Sequence, residues 1–209
     1  MRRAFFLFFS TVVVLVLLVV PSFLLARTTI IHSWVASGVQ PPRLQKILFI
    51  AVLENYLVRQ QLEDEMEKLF ARSGIHATKS HMVLPPRNEV PEAELKQRIK
   101  DSDFDAVLVI RPKDIRKETE ETVSGPAYLP PPGYHSLGPY WSHVQAYHSR
   151  AHVQKNPVVR VEFNLYDRKN EGLLWGGESD TIYSKDFKKL GKSYAKALVK
   201  QMKRDGIIQ

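Results

Sequence analysis

Two short runs of apolar residues constrain the fold of this chain more than any other feature of its sequence. Residues 46–53 and 105–110 each begin with one charged residue and then contain only apolar side chains. Such runs are typical of strands that are buried on both faces, as in a parallel sheet. Because parallel strands need a crossover connection, we expect a helix after each strand in this half of the chain, in a right-handed arrangement.

The helices of this half are predicted by apolar spacing and by residues that begin or end helices. The first ends at Gly74, and Glu63 falls on its polar side. Its apolar residues recur at helical spacing: Val58, Leu62, Met66, Leu69 and Phe70. Pro91 opens the second helix, which carries acidic residues in its first turn, where the helix dipole favours them. Residues 75–80 predict a short strand between the two helices.

The pattern changes in the last third of the chain. Apolar and polar side chains alternate there: Val159, Val161, Phe163 and Leu165 against Arg160, Glu162 and Asn164. Alternation predicts a strand with one buried face and one face in water, typical of antiparallel sheet. After a turn at residues 167–172, the partner strand at residues 173–183 contains Gly176 and Gly177, which indicate a bulge or a close backbone approach. An amphipathic helix then ends at Gly206.

Together these elements give the order β-α-β-α-β-β-β-α. The sequence therefore predicts a mixed fold, between α+β and α/β, with one mixed sheet and helices packed on it. We assign residues 46–209 to this single domain. An additional hydrophobic helix is expected at the N-terminus.

The N-terminal residues indicate where the domain works. Arg2 and Arg3 precede an apolar stretch, residues 4–26, with few interruptions. Positive charge ahead of such a stretch keeps the N-terminus in the cytoplasm and directs the following chain across the membrane. Residues 1–26 are therefore either a cleaved signal peptide or a retained transmembrane anchor. The first alternative leaves a periplasmic protein, and the second leaves an inner-membrane protein that faces the periplasm.

Residues 27–45 are predicted to link this leader to the domain. They contain Gly38, Pro41 and Pro42, which disfavour regular structure. Apolar side chains in the same segment, such as Trp34, could still pack against the domain.

The composition excludes several classes of protein. The chain has a net charge of +8 at pH 7 and no cysteine. It therefore has no disulfide, no thiolate metal site, no cysteine nucleophile and no lipid-bearing cysteine after the leader. The positive charge fits either an ordinary solvated surface or a face near anionic lipid head groups. Export and the lack of a nucleic-acid motif argue against nucleic acid as a partner.

Residues 124–155 have no clear period and combine prolines with aromatic side chains. Long stretches without regular structure are usually functional or disordered, and disordered segments are normally poor in aromatics. Tyrosine and tryptophan are frequent at interaction hot spots. We predict that this insertion binds an envelope protein partner, with the alternative that its aromatic side chains fold back over the sheet: Tyr128, Tyr134, Tyr140, Trp141 and Tyr147.

Four histidines in the insertion allow a second function, the binding of a metal ion or small ligand: His135, His143, His148 and His152. Their spacing matches no standard ligand pattern, and no acidic residue lies between Glu121 and Glu162. We therefore expect no cofactor.

No motif brings together a nucleophile, a base and an orienting group. Residues 191–193 resemble the end of a phosphate-binding loop, but they lack its first glycine and fall inside the last predicted helix. Ser193 and Lys196 have Ser-x-x-Lys spacing without the companion motifs of that enzyme class. The expectation is a protein without enzymatic activity.

Two segments resemble a group of small exported bacterial lipoproteins that have no assigned activity. They are Asn-Leu-Tyr-Asp at residues 164–167 and Leu-Leu-Trp-Gly-Gly-Glu-Ser-Asp-Thr at residues 173–181. The strand at residues 103–109 and the insertion are also similar, and the likeness covers residues 46–208. More distantly, the order of elements is similar to the amino-terminal domain of the Tol-system protein TolB. Arg27 stands where the lipid-bearing cysteine of the group would be.

The resemblance implies an envelope module, an assembly or scaffold component, that binds partners and has no catalytic residues. From the leader itself, we expect the membrane contact to be through residues 4–26. Within the resembling segments we expect structural roles. Trp175 fills core volume against a helix with its indole N–H bonded, and Tyr166 and Asp167 fix the hairpin turn.

Overall fold

The computed structural model describes residues 28–37, 43–85, 90–117, 134–145, 157–182 and 184–209. In it, six strands form one mixed sheet and four helices pack on the sheet. The predicted fold class is confirmed. The leader lies outside the described residues, and among the helices that are described none combines the length and the apolar character needed to cross a bilayer.

The elements follow the chain in the order β1 (Thr28–Val35), β2 (Lys46–Ala51), α1 (Tyr56–Ala71), β3 (His76–Lys79), a 3₁₀ helix (Ser80–Met82), α2 (Glu92–Lys100), β4 (Ala106–Lys117), α3 (Leu137–Gln145), β5 (Pro157–Asp167), β6 (Leu173–Ile182) and α4 (Phe187–Arg204). The order across the sheet is β1-β6-β5-β4-β2-β3. As predicted, β2 is parallel to β3 and β4, whereas β4, β5 and β6 form an antiparallel meander.

Each face of the sheet carries an apolar core. Ile47 and Phe49 of β2 point into the core under α1 and α4, while Leu48 and Ile50 point into the core under α2 and α3. Both faces of β2 are covered because helices lie on opposite sides of the sheet. This is the physical reason for its uninterrupted apolar run.

Local signals set the helix ends. The Asn55 side chain accepts a hydrogen bond from the Val58 N–H (3.1 Å) at the start of α1, and Asp186 accepts one from the Lys189 N–H (3.0 Å) at the start of α4. Gly74, which follows α1, has a φ of +76°, a conformation that costs glycine little. The predicted end of the first helix is confirmed.

The N-terminal segment predicted as a linker contains an edge strand instead. β1 pairs with β6, with Thr28 opposite Thr181 and Val35 opposite Trp175. The Thr28 N–H also donates to the Ser193 hydroxyl of α4 (2.9 Å). The linker prediction is wrong for residues 28–35 because the strand partner lies far along the chain, where local composition cannot reveal it. Residues 38–42 lie outside the described residues.

The expected roles of Trp175 and Asp167 are confirmed. Trp175 is buried in the core, and its indole N–H donates to Asp205 Oδ2 (2.8 Å). Asp167 Oδ1 accepts hydrogen bonds from the N–H groups of Lys169 and Asn170 (2.7 and 3.0 Å) in the hairpin turn. Tyr166 differs from expectation, since its ring is buried in the core under α3 rather than used in the turn.

Gly177 is required by the Trp175 ring. A Cβ atom on Gly177 would lie 2.6 Å from Cη2 of Trp175. The register of β5 and β6 shifts between Leu165 and Tyr166 but continues without interruption through Gly177. Gly177 therefore marks a close approach, here of an indole ring, and the pairing of β5 with β6 has no bulge at this residue.

This packing predicts different effects for two small substitutions on the same face of β6. Gly177→Ala forces the added methyl against a buried ring and should lower the free energy of unfolding by about 1–3 kcal/mol. Ser179 is buried, and its hydroxyl has no hydrogen-bond partner among the described residues. Ser179→Ala should therefore change stability by less than about 0.5 kcal/mol or increase it. Urea denaturation of both variants measures the difference, and equal losses would contradict the assigned contact.

Candidate functional site

Six charged side chains continue the sheet face that α2 and α3 partly cover. They lie on three neighbouring strands and are here called the charged row: Arg111 and Lys113 of β4, Arg160 and Glu162 of β5, and Glu178 and Asp180 of β6. The strand register sets Arg111 opposite Glu162, Glu162 opposite Glu178, and Arg160 opposite Asp180. Neighbours across strands lie close enough to pair, so the row forms ion pairs along the sheet.

The centre of the row is a buried ion pair. Nε and Nη2 of Arg111 both donate to Glu162 Oε2, at 3.1 and 2.9 Å. Both side chains are almost completely removed from solvent. Burying two charges is costly unless each is paired and hydrogen-bonded. The surroundings of this pair must therefore supply further polar contacts.

Two of the predicted site residues supply those contacts. The Tyr140 hydroxyl of α3 donates to Glu162 Oε2 (3.0 Å), and the Tyr134 hydroxyl accepts from Arg111 Nη2 (3.1 Å). The Arg111 guanidinium lies 5.6 and 5.9 Å from the centres of the Tyr140 and Tyr134 rings. Each ring attracts the cation with its negative face. The insertion thus closes over the ion pair.

Trp141 fixes the same helix from its other side. It is buried, and its indole N–H donates to the backbone carbonyl of Val90 (3.0 Å). Leu137 of α3 is buried in the same core. Helix α3 lies within the insertion that the sequence predicts to have no regular structure, and that prediction is wrong for residues 137–145. For Tyr140 and Trp141, the alternative of folding back over the sheet describes the structure.

The rest of the row separates like charges. Glu162 and Glu178 are direct neighbours across two strands, an arrangement that is unfavourable when neither has a counter-ion. Lys113 Nζ contacts Glu178 Oε1 and is the counter-ion of Glu178. Arg160 and Asp180 form two further hydrogen bonds of 2.8 Å. Each carboxylate in the row therefore has its own cation.

The burial of this face corrects the sequence prediction that it lies in water. Glu162 and Asn164 are both fully buried. Alternation correctly predicts that they share a face, but helix α3 and the residues around it cover that face. A second charged residue that we expected to be exposed lies in α1. The sequence places Glu63 on the polar side of this helix, but its side chain is also fully buried.

The buried Glu63 carboxylate is hydrogen-bonded to neighbouring parts of the fold. Its carboxylate accepts hydrogen bonds from the N–H groups of Ala51 and His81 (3.1 Å each), from the Ser80 hydroxyl and, at 2.8 Å, from His81 Nδ1. These contacts join the end of β2 to the 3₁₀ helix after β3. A fully satisfied buried carboxylate rigidifies its surroundings, and here it orders the connection between parallel strands.

Burial and charge change the pKa values of this network. The pKa of Tyr140 is raised well above its ordinary value, first by burial and then by the negative charge of Glu162. Burial opposes the positive charge of Arg111, but the oxygen atoms of Tyr140 and Glu162 outweigh it and raise the pKa of the guanidinium. The network is therefore held with Arg111 charged and Tyr140 neutral.

The structure brings together only part of the predicted site. Tyr134, Tyr140 and Trp141 meet at α3, whereas Tyr128 and Tyr147 lie outside the described residues. Among the four histidines, His135 is exposed in the turn before α3 and the side chain of His143 is not described. His148 and His152 lie outside the described residues. Within the described part of the chain, no group of three or more potential ligands could hold a metal ion.

Sequence analysis did not identify Arg111 and Glu162 as partners. One signal for a buried charge was available in the sequence. Glu162 lies on the same face of its strand as Tyr166, a residue for which we expected a structural role. Charge in the middle of a long central strand is unusual when that strand is buried. The partner could not be named without the register between β4 and β5.

No family model and no curated protein matches this chain. Solved structures similar to it include a PelC dodecamer from Paraburkholderia phytofirmans, at 13% identity over 82% of this chain and 94% of that chain. A variant of the PelC dodecamer from the same organism is 16% identical over 80% of this chain and 96% of that chain. The TM-score is 0.42 in both cases, a level that does not bear on the function of this chain.

The buried ion pair predicts a strong coupling between two positions. Glu162→Leu leaves the Arg111 charge buried without its counter-ion and should lower the free energy of unfolding by about 3–5 kcal/mol. Combining it with Arg111→Met replaces the pair by apolar groups and should recover most of that loss. Urea denaturation of the two single variants and the double variant measures the coupling. Additive losses would show that the two side chains act independently.

The Tyr140 pKa predicts a loss of stability at high pH. A tyrosine in the unfolded chain ionises near about pH 10, whereas burial keeps Tyr140 neutral in the fold and raises its pKa. Its contribution to stability is therefore complete below that pH and is lost as the pH rises further. The Tyr140→Phe variant should lose less stability than the natural chain between about pH 9 and 11. Thermal denaturation curves that stay parallel over this range would contradict the assignment.

Proposed function

We propose that this chain is a non-enzymatic cell-envelope module that binds a protein partner through the insertion at residues 124–155. Its leader holds it at the inner membrane facing the periplasm, or is cleaved to release it there. In this proposal the chain uses no cofactor and binds no nucleic acid. It serves as an assembly or scaffold component.

The observation that supports the proposal is the fixed position of α3 in the middle of the insertion. Tyr140 is held by Glu162 and Trp141 is held by the Val90 carbonyl. A helix of this length is not stable alone in water, so its position depends on these contacts and on burial. The residues that precede and follow α3 are therefore connected to a helix whose position is fixed on the domain.

Two stretches that include the rest of the insertion join α3 to the sheet. Residues 118–133 lie between the end of β4 and Tyr134, just before α3, and residues 146–156 connect α3 to the start of β5. Both parts lie outside the described residues. Their sequences contain Tyr128 and Tyr147 together with several prolines, residue types that bind partners at a low cost in conformational entropy.

The resemblance to exported lipoproteins and to the amino-terminal domain of TolB supports the same function. Modules of the TolB type bind partners and catalyse no reaction. The carboxylate contacts described for Glu162 and Glu63 also support it, because both groups are occupied by residues of the fold. Neither is positioned to act on a substrate.

Site-specific photo-crosslinking tests the proposal. A photoreactive amino acid replaces Tyr128 or Tyr147 in the full chain, expressed in the cells that make it. We expect one discrete protein adduct from these positions and none from Lys169, an exposed residue of the β5–β6 turn. The insertion itself is not deleted, because α3 contributes three core side chains and its removal would unfold the domain.

A double substitution provides the matched measurement. Tyr128→Ser with Tyr147→Ser should reduce recovery of the crosslinked partner by about tenfold, the effect of losing a hot spot worth more than 1 kcal/mol. The melting temperature should not change, since neither residue belongs to the described core. Undiminished recovery of the partner, or equal adducts from Lys169, would disprove the role of the insertion.

A further inference from the structure

The two edges of the sheet differ in how they are protected from pairing with a further strand. One edge is β3 and the other is β1. An unpaired edge exposes a row of backbone N–H and C=O groups, which natural proteins protect with short strands or charged side chains. β3 has only four residues and ends at Lys79, which pairs with Asp64 and Glu67 at 3.0 Å each. It therefore has both forms of protection.

β1 has neither form of protection. Its eight residues, Thr28–Val35, include no Asp, Glu, Lys, Arg, Pro or Gly, and most are of types that favour strands. The Ala36 N–H donates to the Leu174 carbonyl of β6 (3.0 Å), and such bonds alternate along an antiparallel strand. The N–H and C=O groups of Ser33 and Val35 therefore point away from β6, where none of the described strands lies.

Helix α4 runs beside this edge and carries only positive charge. The Ser193 hydroxyl accepts a hydrogen bond from the Thr28 N–H (2.9 Å), and the Gln201 side chain donates one to the Ser33 hydroxyl (3.1 Å). These contacts show which side of α4 lies over β1. All the charged residues of the helix, Phe187–Arg204, are basic.

Three of these residues form the basic stripe of α4: Lys196, Lys200 and Arg204. Ser193, Ala197 and Gln201 follow successive turns on the side over β1, and each residue of the stripe comes three positions after one of them, which makes them neighbours on the helix. Helix α1 packs on another side, where a Cβ atom on Gly191 would lie 3.0 Å from Cβ of Glu65. The stripe is exposed and has no ion-pair partner among the residues that the structure describes. It therefore borders the position that a strand added to β1 would take.

The charge of the stripe determines which kind of strand fits this edge. Antiparallel pairing with β1 of a second copy would place two α4 helices on the same side of the joined sheet, with their basic stripes facing each other. Like charges brought together in this way oppose binding. An acidic segment would instead give the stripe the counter-ions that the described part of the chain does not supply.

We infer that the outer edge of β1 binds an extended acidic segment of a protein partner, which adds a strand to the sheet and places its carboxylates beside the basic stripe. Main-chain hydrogen bonds give affinity in this mode of recognition, and alternate side chains give specificity. Because the register of β1 shifts between Ile30 and His32, the added strand pairs with the regular part, residues 32–35. Binding at this edge goes beyond the proposed function, since β1 lies two strands from β5 and the insertion takes no part in it.

Amide hydrogen exchange with a defined peptide tests the added strand. The full chain is kept in an uncharged detergent, and the probe is a short synthetic peptide in which glutamate alternates with valine. We expect the peptide to slow exchange at Ser33 and Val35 at least about tenfold, because each N–H gains a hydrogen bond. The other edge, β3 (His76–Lys79), is the internal control and should not change. Equal slowing at both edges would mean that the peptide does not select β1.

Charge reversals test the role of the basic stripe. Lys196→Glu with Lys200→Glu should weaken binding of the fluorescently labelled peptide at least about tenfold, measured by fluorescence polarisation. Lys100→Glu with Lys169→Glu changes the net charge equally at exposed positions elsewhere and should have little effect. A peptide with glutamine in place of glutamate should bind the natural chain as weakly as the first variant binds the acidic peptide. Equal losses in the two double variants, or equal binding of the two peptides, would disprove the role of the stripe.

A proline substitution tests the backbone contact. Val35→Pro removes an N–H that points away from β6, a change that edge strands tolerate, and should weaken peptide binding about tenfold. Val35→Thr keeps this N–H and the branched side chain and should bind normally. If Val35→Pro lowers the melting temperature, the exchange at Ser33 and Val35 in the natural chain decides.

Two results would overturn binding of an acidic segment at β1. The first is unchanged exchange at Ser33 and Val35 in about 1 mM peptide. The second is slow exchange at both residues without peptide that becomes slower at higher protein concentration, since a second copy of the chain would then occupy this edge. Neither result bears on the crosslinks expected from the insertion, so the two proposals fail separately.

Discussion

Arg111 and Glu162 face each other across β4 and β5, and the arrangement of this sheet face depends on that pair. Both side chains are buried, so each requires the other to offset the loss of water. A slip of one residue between the strands would turn Glu162 into the apolar core under α1 and α4. The pair therefore favours the observed register of β4 and β5 over a shifted one, although burying its two charges costs desolvation energy. The register in turn sets the positions of Glu178 and Asp180 on the next strand.

Helix α3 depends on this pair and also completes it. Without Tyr140, the Glu162 carboxylate would lose one of its hydrogen-bond donors. Without Glu162, the buried Tyr140 hydroxyl would lose the carboxylate that accepts its hydrogen bond. Residues 134–145 thus belong to the core even though they lie in an insertion. The insertion is divided by α3 into two shorter connections, and both begin at points that the core holds fixed.

The sequence was informative where burial is decided locally. The apolar run of β2 and the spacing in α1 predict elements whose partners are neighbours along the chain, and these elements are confirmed. Alternation in β5 predicts correctly which residues share a face, but it cannot show whether a distant helix covers that face. Glu162 was therefore predicted to lie in water. The same limit applies to β1, whose pairing with β6 joins Thr28 to Thr181.

The two connections of the insertion and the leader have one geometric property in common. β4 ends at Lys117 directly opposite Pro157, where β5 begins, and this is the end of the sheet at which Thr28 enters β1. A partner held by residues near Lys117 and Pro157 would meet the domain on the side nearest the leader. If the leader stays in the bilayer, such a partner is itself at the membrane surface or has a part that reaches it. The candidates would then be envelope proteins with a membrane segment or a membrane-facing domain, and a partner confined to the periplasm far from the bilayer would not fit this arrangement.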